Sequence, residues 1–319
     1  MPKLNVLVAG STGYIGIQLI KLLVKHKYVK IKYLCGNSSV GKKISSYDNL
    51  RSFKNLPKII RFDKKYLKNV DVVVHLANIA NDPSVELNPA LSWEVNVLAT
   101  QKLVERSISS KVKQFIFASS GSVYGIKKEK KVTEDLSLVP ISTYNKTKMI
   151  AERILKSYEK DIKIHCIRPA TVCGFSPRMR LDVSVNMLAF QALKNNSMTV
   201  FGGNQIRPNI HIQDLINVYK HFISKPNLNS GFYNAGFENL KIIEIAKKVA
   251  KIIPSSIIIK KNNDPRSYRQ DSTKLLSTGF KRRFSVDDAI NDIKAKYESK
   301  KIKESLKCYT VKWMKKIKL

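Results

Sequence analysis

Short apolar runs alternate along this chain with stretches in which apolar residues recur every three or four positions. Asn5–Ala9 reads as a buried strand, and Tyr14–His26 as a helix with Ile15, Leu19, Leu22 and Leu23 on one face. Val29–Leu34 predicts a second strand, Lys58–Phe62 a third and Val70–Leu76 a fourth. A helix is expected over Ala90–Ile108, strands over Gln114–Ser119 and Ile162–Arg168, and a helix over Tyr144–Tyr158. Strands that alternate with helices imply an α/β fold, a doubly wound parallel sheet with helices on both faces. After about residue 170 the pattern loosens, with Pro, Gly and Asn frequent between Thr171 and Asn209. The expected organisation is a dinucleotide-binding domain over residues 1–170 and a smaller α/β substrate-binding lobe over 171–319, with the two interleaved.

The phosphate chemistry sits in the first turn, Gly10-Ser-Thr-Gly13-Tyr-Ile-Gly16. One glycine allows positive φ, one lets backbone approach a pyrophosphate, and one lets helix pack on strand. The helix that begins at Tyr14 and Ile15 then offers free N–H groups to the anion. The context required of such a turn, a strand before and an amphipathic helix after, is present. An acid for the ribose hydroxyls of NAD belongs at the end of the second strand. This chain has Cys35-Gly36-Asn37-Ser38-Ser39 there, then Lys42 and Lys43, and no carboxylate before Asp48. Small polar residues such as Asn37, with lysines beside them, suit a 2′-phosphate, so the cofactor expected is NAD or NADP, with a lean to NADP.

Tyr144-Asn-Lys-Thr-Lys148 puts a phenol and an ammonium four residues apart, on one helix face. A nearby ammonium stabilises phenolate and makes Tyr a usable acid/base near neutral pH. Ser119-Ser120-Gly121-Ser122 adds a hydroxyl at the end of the fifth predicted strand.

With these motifs in order, the sequence resembles the extended short-chain dehydrogenase/reductases of the NAD-dependent epimerase/dehydratase family, over essentially the whole chain to about residue 290. The resemblance implies Ser120, Tyr144 and Lys148 as the catalytic group. It assigns to the cofactor Gly10, Gly13, Tyr14, Ile15, Gly16, Asn37, Leu76, Ala77, Tyr144 and Lys148, Asp63 at the adenine, and Asn96 as the helix asparagine that supports the site. On the substrate side it implies Ser122, Thr171, Asn186, Val200 in the base-binding strand, and Arg207 and Arg266 for the diphosphate. It implies no metal. The run Ser176-Pro-Arg-Met-Arg180-Leu-Asp182 resembles a subgroup loosely described as sugar epimerases, some acting on GDP-heptose at C4.

Gly121 and Ser122 stand where sugar dehydratases of the family carry Asp-Glu, so 4,6-dehydration is not expected. The expected activity is C4 epimerisation of a nucleotide-diphosphate sugar through transient oxidation. The alternatives are an NAD(P)-dependent 4-ketoreductase or dehydrogenase, and a non-catalytic dinucleotide-binding regulator. Such regulators tend to lose the Tyr–Lys pair, which this chain keeps. Relatives often pair through the helices that match 90–108 and 144–158, which implies a homodimer.

Composition adds three points. The chain has 319 residues, 43% hydrophobic, enough to bury a large core. Its four cysteines lack CxxC spacing, and no secretory signal or run of 18 apolar residues appears, so a cytoplasmic protein with reduced thiols is expected. The formal charge of +34 comes mostly from Lys spread along the whole sequence, with no nucleic-acid module in sight, so it favours anionic small ligands over nucleic acid. Residues 300–319 hold eight lysines and one glutamate, with Ile302, Leu306, Tyr309, Trp313 and Ile317 at helical intervals. That stripe predicts a last helix packed on the second lobe, with contact to an anionic membrane as the less favoured reading.

Overall fold

The computed structural model describes residues 3–47, 50–53, 55–262 and 267–317. In chain order the elements are β1 (Leu4–Ala9), α1 (Tyr14–Val24), β2 (Val29–Cys35), β3 (Ile59–Ile60), β4 (Val72–His75), α2 (Asp82–Val85), α3 (Pro89–Trp93), α4 (Ala99–Ser109) and β5 (Gln114–Ala118). There follow α5 (Thr143–Ser157), β6 (Lys163–Pro169), β7 (Thr171–Cys173), α6 (Ser184–Asn195), β8 (Ser197–Phe201), β9 (Ile206–His211) and α7 (Ile212–Ser224). The last are β10 (Gly231–Ala235), β11 (Glu238–Lys241), α8 (Ile242–Ile252), β12 (Ser256–Lys260), α9 (Thr273–Ser277), α10 (Val286–Glu298) and α11 (Thr310–Lys316).

The chain divides into two compact units, each built from separate segments. The first takes residues 1–120, 142–168 and 216–233, and the second 121–141, 169–215 and 234–319. Sequence pattern placed 121–141 before the change of lobe and 216–233 after it; by contacts each segment belongs to the other unit.

The first unit is organised by the large sheet, ordered β10-β6-β5-β4-β1-β2-β3. Its pairings from β3 through β6 are parallel. Strand order reverses at β1, which has β2 on one side and β4 on the other, and that reversal opens a crevice at the strands' carboxyl ends. The strands carry continuous apolar runs because both faces are covered: Val72–His75 and Gln114–Ala118 are buried throughout. Leu7, Val73, Phe115, Phe117 and Cys166 share one core cluster with Leu103, Val104, Ala151 and Leu155 of the covering helices.

Three elements differ from the sequence pattern. The third strand is only Ile59–Ile60, not Lys58–Phe62. The run predicted as one helix over Ala90–Ile108 holds a π-helical turn, Glu94–Leu98, between α3 and α4. The lysine-rich tail is not a single helix: a 3₁₀ turn at Leu306–Cys308 precedes α11, and the predicted stripe is not its buried face. Cys308 and Met314 are buried there instead, whereas Leu306 is 45% and Ile317 36% exposed. No helix among the described residues is long and apolar enough to cross a membrane.

In the second unit, β11, β9 and β7 form one small sheet, and β12 pairs with β8 in another. Asp214, fully buried, accepts main-chain hydrogen bonds from Arg283 and Phe284 and ties α7 to the segment before α10.

Candidate active site

Steric necessity fixes the glycine turn at the β1 end of the crevice. Gly10 has φ +84°, and a Cβ there would meet the Ala77 nitrogen at 2.7 Å. A Cβ on Gly16 would stand 2.3 Å from the Gly10 carbonyl oxygen, so helix α1 can reach the turn only with glycine at that position. The N-cap of α1 is Gly13, which has no side chain to cap the helix, and the first turn of α1 holds no acid. A helix start of this kind favours an anion. Leu76 and Ala77 run directly against this turn, as expected of the stretch after β4. Tyr14 is buried and Ile15 half-buried at the start of α1. Asn37 lies exposed beyond β2, and Asp63 caps a 3₁₀ turn by accepting from the Lys65 amide at 3.0 Å, its carboxylate half exposed.

Helix α5 carries the phenol and the ammonium. Ser142 caps it, accepting from the Asn145 amide while its hydroxyl donates to the Asp82 carboxylate. Tyr144 is 9% and Lys148 2% exposed. The Lys148 Nζ donates to the Ala118 carbonyl at 2.6 Å, where β5 ends. It lies 4.7 Å from the Phe117 ring centre and 5.9 Å from that of Tyr144. Burial pulls the Lys148 pKa down to about 7, opposed by the Glu152 carboxylate. The ammonium is thus tied to the strand that delivers Ser120, which is half-buried two residues further on.

A hydrogen-bonded frame holds this helix. Asn96, fully buried in the π-helical turn, accepts from the Ile79 amide and donates to the Ile79 carbonyl and to the Thr147 hydroxyl. Thr147 donates in turn to the Tyr144 carbonyl at 2.8 Å. The Thr100 hydroxyl donates to the Asn96 carbonyl, so it accepts from His75, whose Nε2 must carry the proton. Burial, with Lys148 nearby, depresses the His75 pKa to about 3 and keeps it neutral. Sequence reading missed Thr100 and Thr147. Their one signal is helical spacing, three residues after Tyr144 and four after Asn96. It also missed Tyr219, a fully buried phenol whose pKa is raised by burial and, less, by Tyr144. Glu152 and Arg168, both buried, form a bidentate pair at 2.9 and 2.7 Å that clamps α5 to β6.

The second unit holds the other predicted residues. Ser122 is half-buried in a 3₁₀ turn, Gly121–Tyr124. Thr171 opens β7 opposite Asn209 of β9, and Asn209 donates to the Arg207 carbonyl. Arg207 is half-buried on β9. Asn186 is wholly buried: it accepts from the Gly174 amide at 2.9 Å and donates to the Arg180 carbonyl at 2.9 Å, so its side chain shapes the 174–180 loop. Arg180 pairs with Asp182, which also accepts from the Thr310 amide, and the Leu181 amide donates to the Cys308 carbonyl. The C-terminal segment therefore braces this loop. Val200 needs a correction: its side chain is 1% exposed in the core beneath β8, and only Phe201 beside it, 49% exposed, offers an open side chain. Arg266 lies outside the described residues. Gln270, which sequence reading missed, fills the space a Cβ on Gly121 would need, with its Nε2 2.9 Å from that point.

Comparison with known proteins identifies the family and the fold. The profile of the NAD dependent epimerase/dehydratase family matches residues 6–236. A UDP-glucose 4-epimerase of Lactobacillus helveticus is 31% identical over 320 residues, covering 90% of this chain and 95% of the relative. The structure of a UDP-glucuronic acid 4-epimerase from Bacillus cereus, with UDP-glucuronic acid and NAD, superimposes with a TM-score of 0.77 at 28% identity, covering 92% of this chain and 99% of that one. A UDP-N-acetylglucosamine 4-epimerase from Methanobrevibacter ruminantium M1 shares the fold, with a TM-score of 0.82 at 23% identity, covering 94% of this chain and all of the other.

Proposed function

From the premise that this chain belongs to the NAD dependent epimerase/dehydratase family, we propose that it is a nucleotide-sugar C4 epimerase working with a bound nicotinamide dinucleotide. The observation that carries the reading is Lys148, held by Ala118 at the end of β5 and within 6 Å of the Tyr144 ring centre. The Lactobacillus helveticus and Bacillus cereus relatives are 4-epimerases of UDP-sugars, and neither position after Ser120 offers the acid an elimination would need.

The residues fit the cofactor. Gly10, Gly13 and Gly16 leave a backbone cradle that any Cβ at 10 or 16 would fill, and the Tyr14, Ile15 and Gly16 amides begin a helix without a cap. Leu76 and Ala77 line that cradle, Asn37 and Asp63 stand on the adenosine side, and Asn96 supports the frame. The nicotinamide, when bound, accepts and returns the hydrogen of the sugar carbon as hydride. Tyr144 takes the proton of the C4 hydroxyl during oxidation and gives it back on reduction. Ser120 donates a hydrogen bond to the reacting oxygen. Lys148 lowers the cost of the Tyr144 phenolate through its charge. On the substrate side, Ser122, Thr171, Arg207 and Arg266 are assigned by the family resemblance, Asn186 through the 174–180 loop that it shapes, and Val200 through its main chain alone. The arginine forks of that set pair with the diphosphate, and Phe201, next to Val200, offers a face to the base.

Two copies pairing through residues 90–108 and 144–158 would cover Trp93 and Leu98, which are exposed within the first of these segments. We therefore assign a homodimer, to be checked by light scattering.

Tyr144→Phe tests the mechanism. The expected result is a fall in kcat of about 100- to 10,000-fold, with dinucleotide affinity unchanged. Epimerisation is followed as exchange between C4 epimers of a UDP-hexose, and near-normal turnover would remove Tyr144 from the reaction.

A further inference from the structure

The C-terminal segment lies outside residues 6–236 of the family match, and its last helix, α11, spans seven residues. It is held in place on the second unit all the same. Cys308 and Met314 are buried. The Glu304 carboxylate accepts from the Lys194 ammonium of α6 and from the Tyr309 hydroxyl, both at 2.6 Å.

Two further bonds join this segment to the loop between β7 and α6. The Leu181 amide donates to the Cys308 carbonyl at 2.9 Å, and the Thr310 amide donates to the Asp182 carboxylate at 2.9 Å. Asp182 accepts on both oxygens, because the Arg180 Nε donates to the other one at 2.9 Å. Burial alone would raise the Asp182 pKa. The Arg180 guanidinium and the Thr310 amide outweigh it and hold the carboxyl below its usual range, so both bonds are made by an ionised acceptor. The other end of the loop is tied by α6 and α10. Asn186 accepts from the Gly174 amide, and the Asp292 carboxylate accepts from the Phe175 amide at 3.3 Å. The loop is thus fastened where it leaves β7 by Asn186 and Asp292, and where it enters α6 by Cys308 and Thr310. A loop fixed beforehand spares a ligand the cost of ordering it.

We propose that Asp182 and Thr310 are positioning residues for the nucleotide sugar, through which the C-terminal segment holds the 174–182 loop in the shape that receives the substrate. The proposal rests on the assignment of Thr171 and Asn186, which flank this loop, to the substrate side. Neither Asp182 nor Thr310 touches the reacting atoms, so the effect falls on affinity and leaves the chemical step alone.

Thr310→Pro tests it. Thr310 is the first residue of α11, where proline suits a helix, so the change removes an amide donor and keeps the helix. Asp182→Asn is the second variant: a carboxamide cannot accept from Arg180 and Thr310 at once, since one of its two positions is itself a donor. Lys315→Ala, exposed on α11, is the control. Each full-length protein is titrated by calorimetry with UDP and with GDP, and KM and kcat are measured for epimerisation of a UDP-hexose. Both variants should bind the preferred nucleotide about five- to tenfold more weakly and show a matching rise in KM, with kcat within about twofold and Lys315→Ala like wild type. Circular dichroism checks folding, and Asp182→Asn carries the test if Thr310→Pro does not fold. Unchanged affinity in the folded variants, a fall in kcat without a change in KM, or an equal loss in Lys315→Ala would overturn the positioning role and leave the epimerase reading intact. A wild-type protein that binds neither nucleotide and epimerises no UDP-hexose would overturn both.

Discussion

An ammonium at Lys148 has left water for a place over the Phe117 ring, with the Ala118 carbonyl as acceptor. Burial lowers its pKa to about 7, against 10.5 for a free lysine. The folded chain therefore holds fewer protons on this residue than the unfolded chain does between those two values. The penalty is complete below pH 7 and fades as pH rises towards 10.5. Lys148→Met removes the titration altogether. Its unfolding free energy relative to wild type should be most favourable below pH 7 and should decline steadily as pH rises to about 10. Urea denaturation of both proteins at pH 6, 8 and 10 measures this, and a difference independent of pH would mean that the lysine stays charged in the folded protein. The same proton has a catalytic consequence. A lysine that titrates near neutrality can support the Tyr144 phenolate only while charged, so binding of an anionic dinucleotide, which favours the ammonium, should push the alkaline limit of activity upward.

At the level of elements, the π-helical turn Glu94–Leu98 does for the site what neither flanking helix could. It places Asn96 so that one carboxamide satisfies both main-chain groups of Ile79 and also reaches Thr147 on α5. Asn96→Ala would leave those buried groups without their partner, at a cost of about 2–3 kcal/mol, and should lower kcat through the lost tether on Tyr144. A loss of stability under about 0.5 kcal/mol in urea denaturation would mean that the turn holds without it. This turn also marks a limit of sequence pattern. The parallel strands were legible because burial on both faces makes them continuous apolar runs, and the Tyr144–Lys148 pair because four residues on a helix share a face. The π turn was not, because one extra residue in a turn leaves the apolar spacing of 90–108 almost unchanged. Strand β3 was overestimated because its pairing with β2 covers only Ile59 and Ile60, a register no local pattern encodes. Thr147, Tyr219, Gln270 and the Glu152–Arg168 clamp were missed for a related reason. Each matters through a neighbour brought in by tertiary structure, and none stands in a motif. Val200 shows the converse: the motif match was to a strand, and the alternation of β8 turns that side chain into the core.

Across the whole molecule, 58 lysines and arginines face 24 aspartates and glutamates, so most cations have no acid to pair with. Two effects of salt then oppose each other. Screening weakens exposed ion pairs such as Lys156–Glu159, each worth about 0–1 kcal/mol, and it also weakens repulsion among the unpaired lysines. The buried Glu152–Arg168 pair is shielded from salt and contributes to neither. With a charge of +34 the repulsive sum is the larger, because each added cation interacts with all the others and an ion pair with one partner. The melting temperature should therefore rise by several degrees between about 50 mM and about 500 mM sodium chloride, where the screening length falls from roughly 14 to 4 Å. Sodium sulfate at matched ionic strength separates screening from binding. Equal gains in the two salts mark general repulsion, whereas a gain saturating at low millimolar sulfate marks an anion held at a discrete site, for which the glycine turn is the candidate. A melting temperature that fell with salt would mean that surface ion pairs dominate in spite of the imbalance.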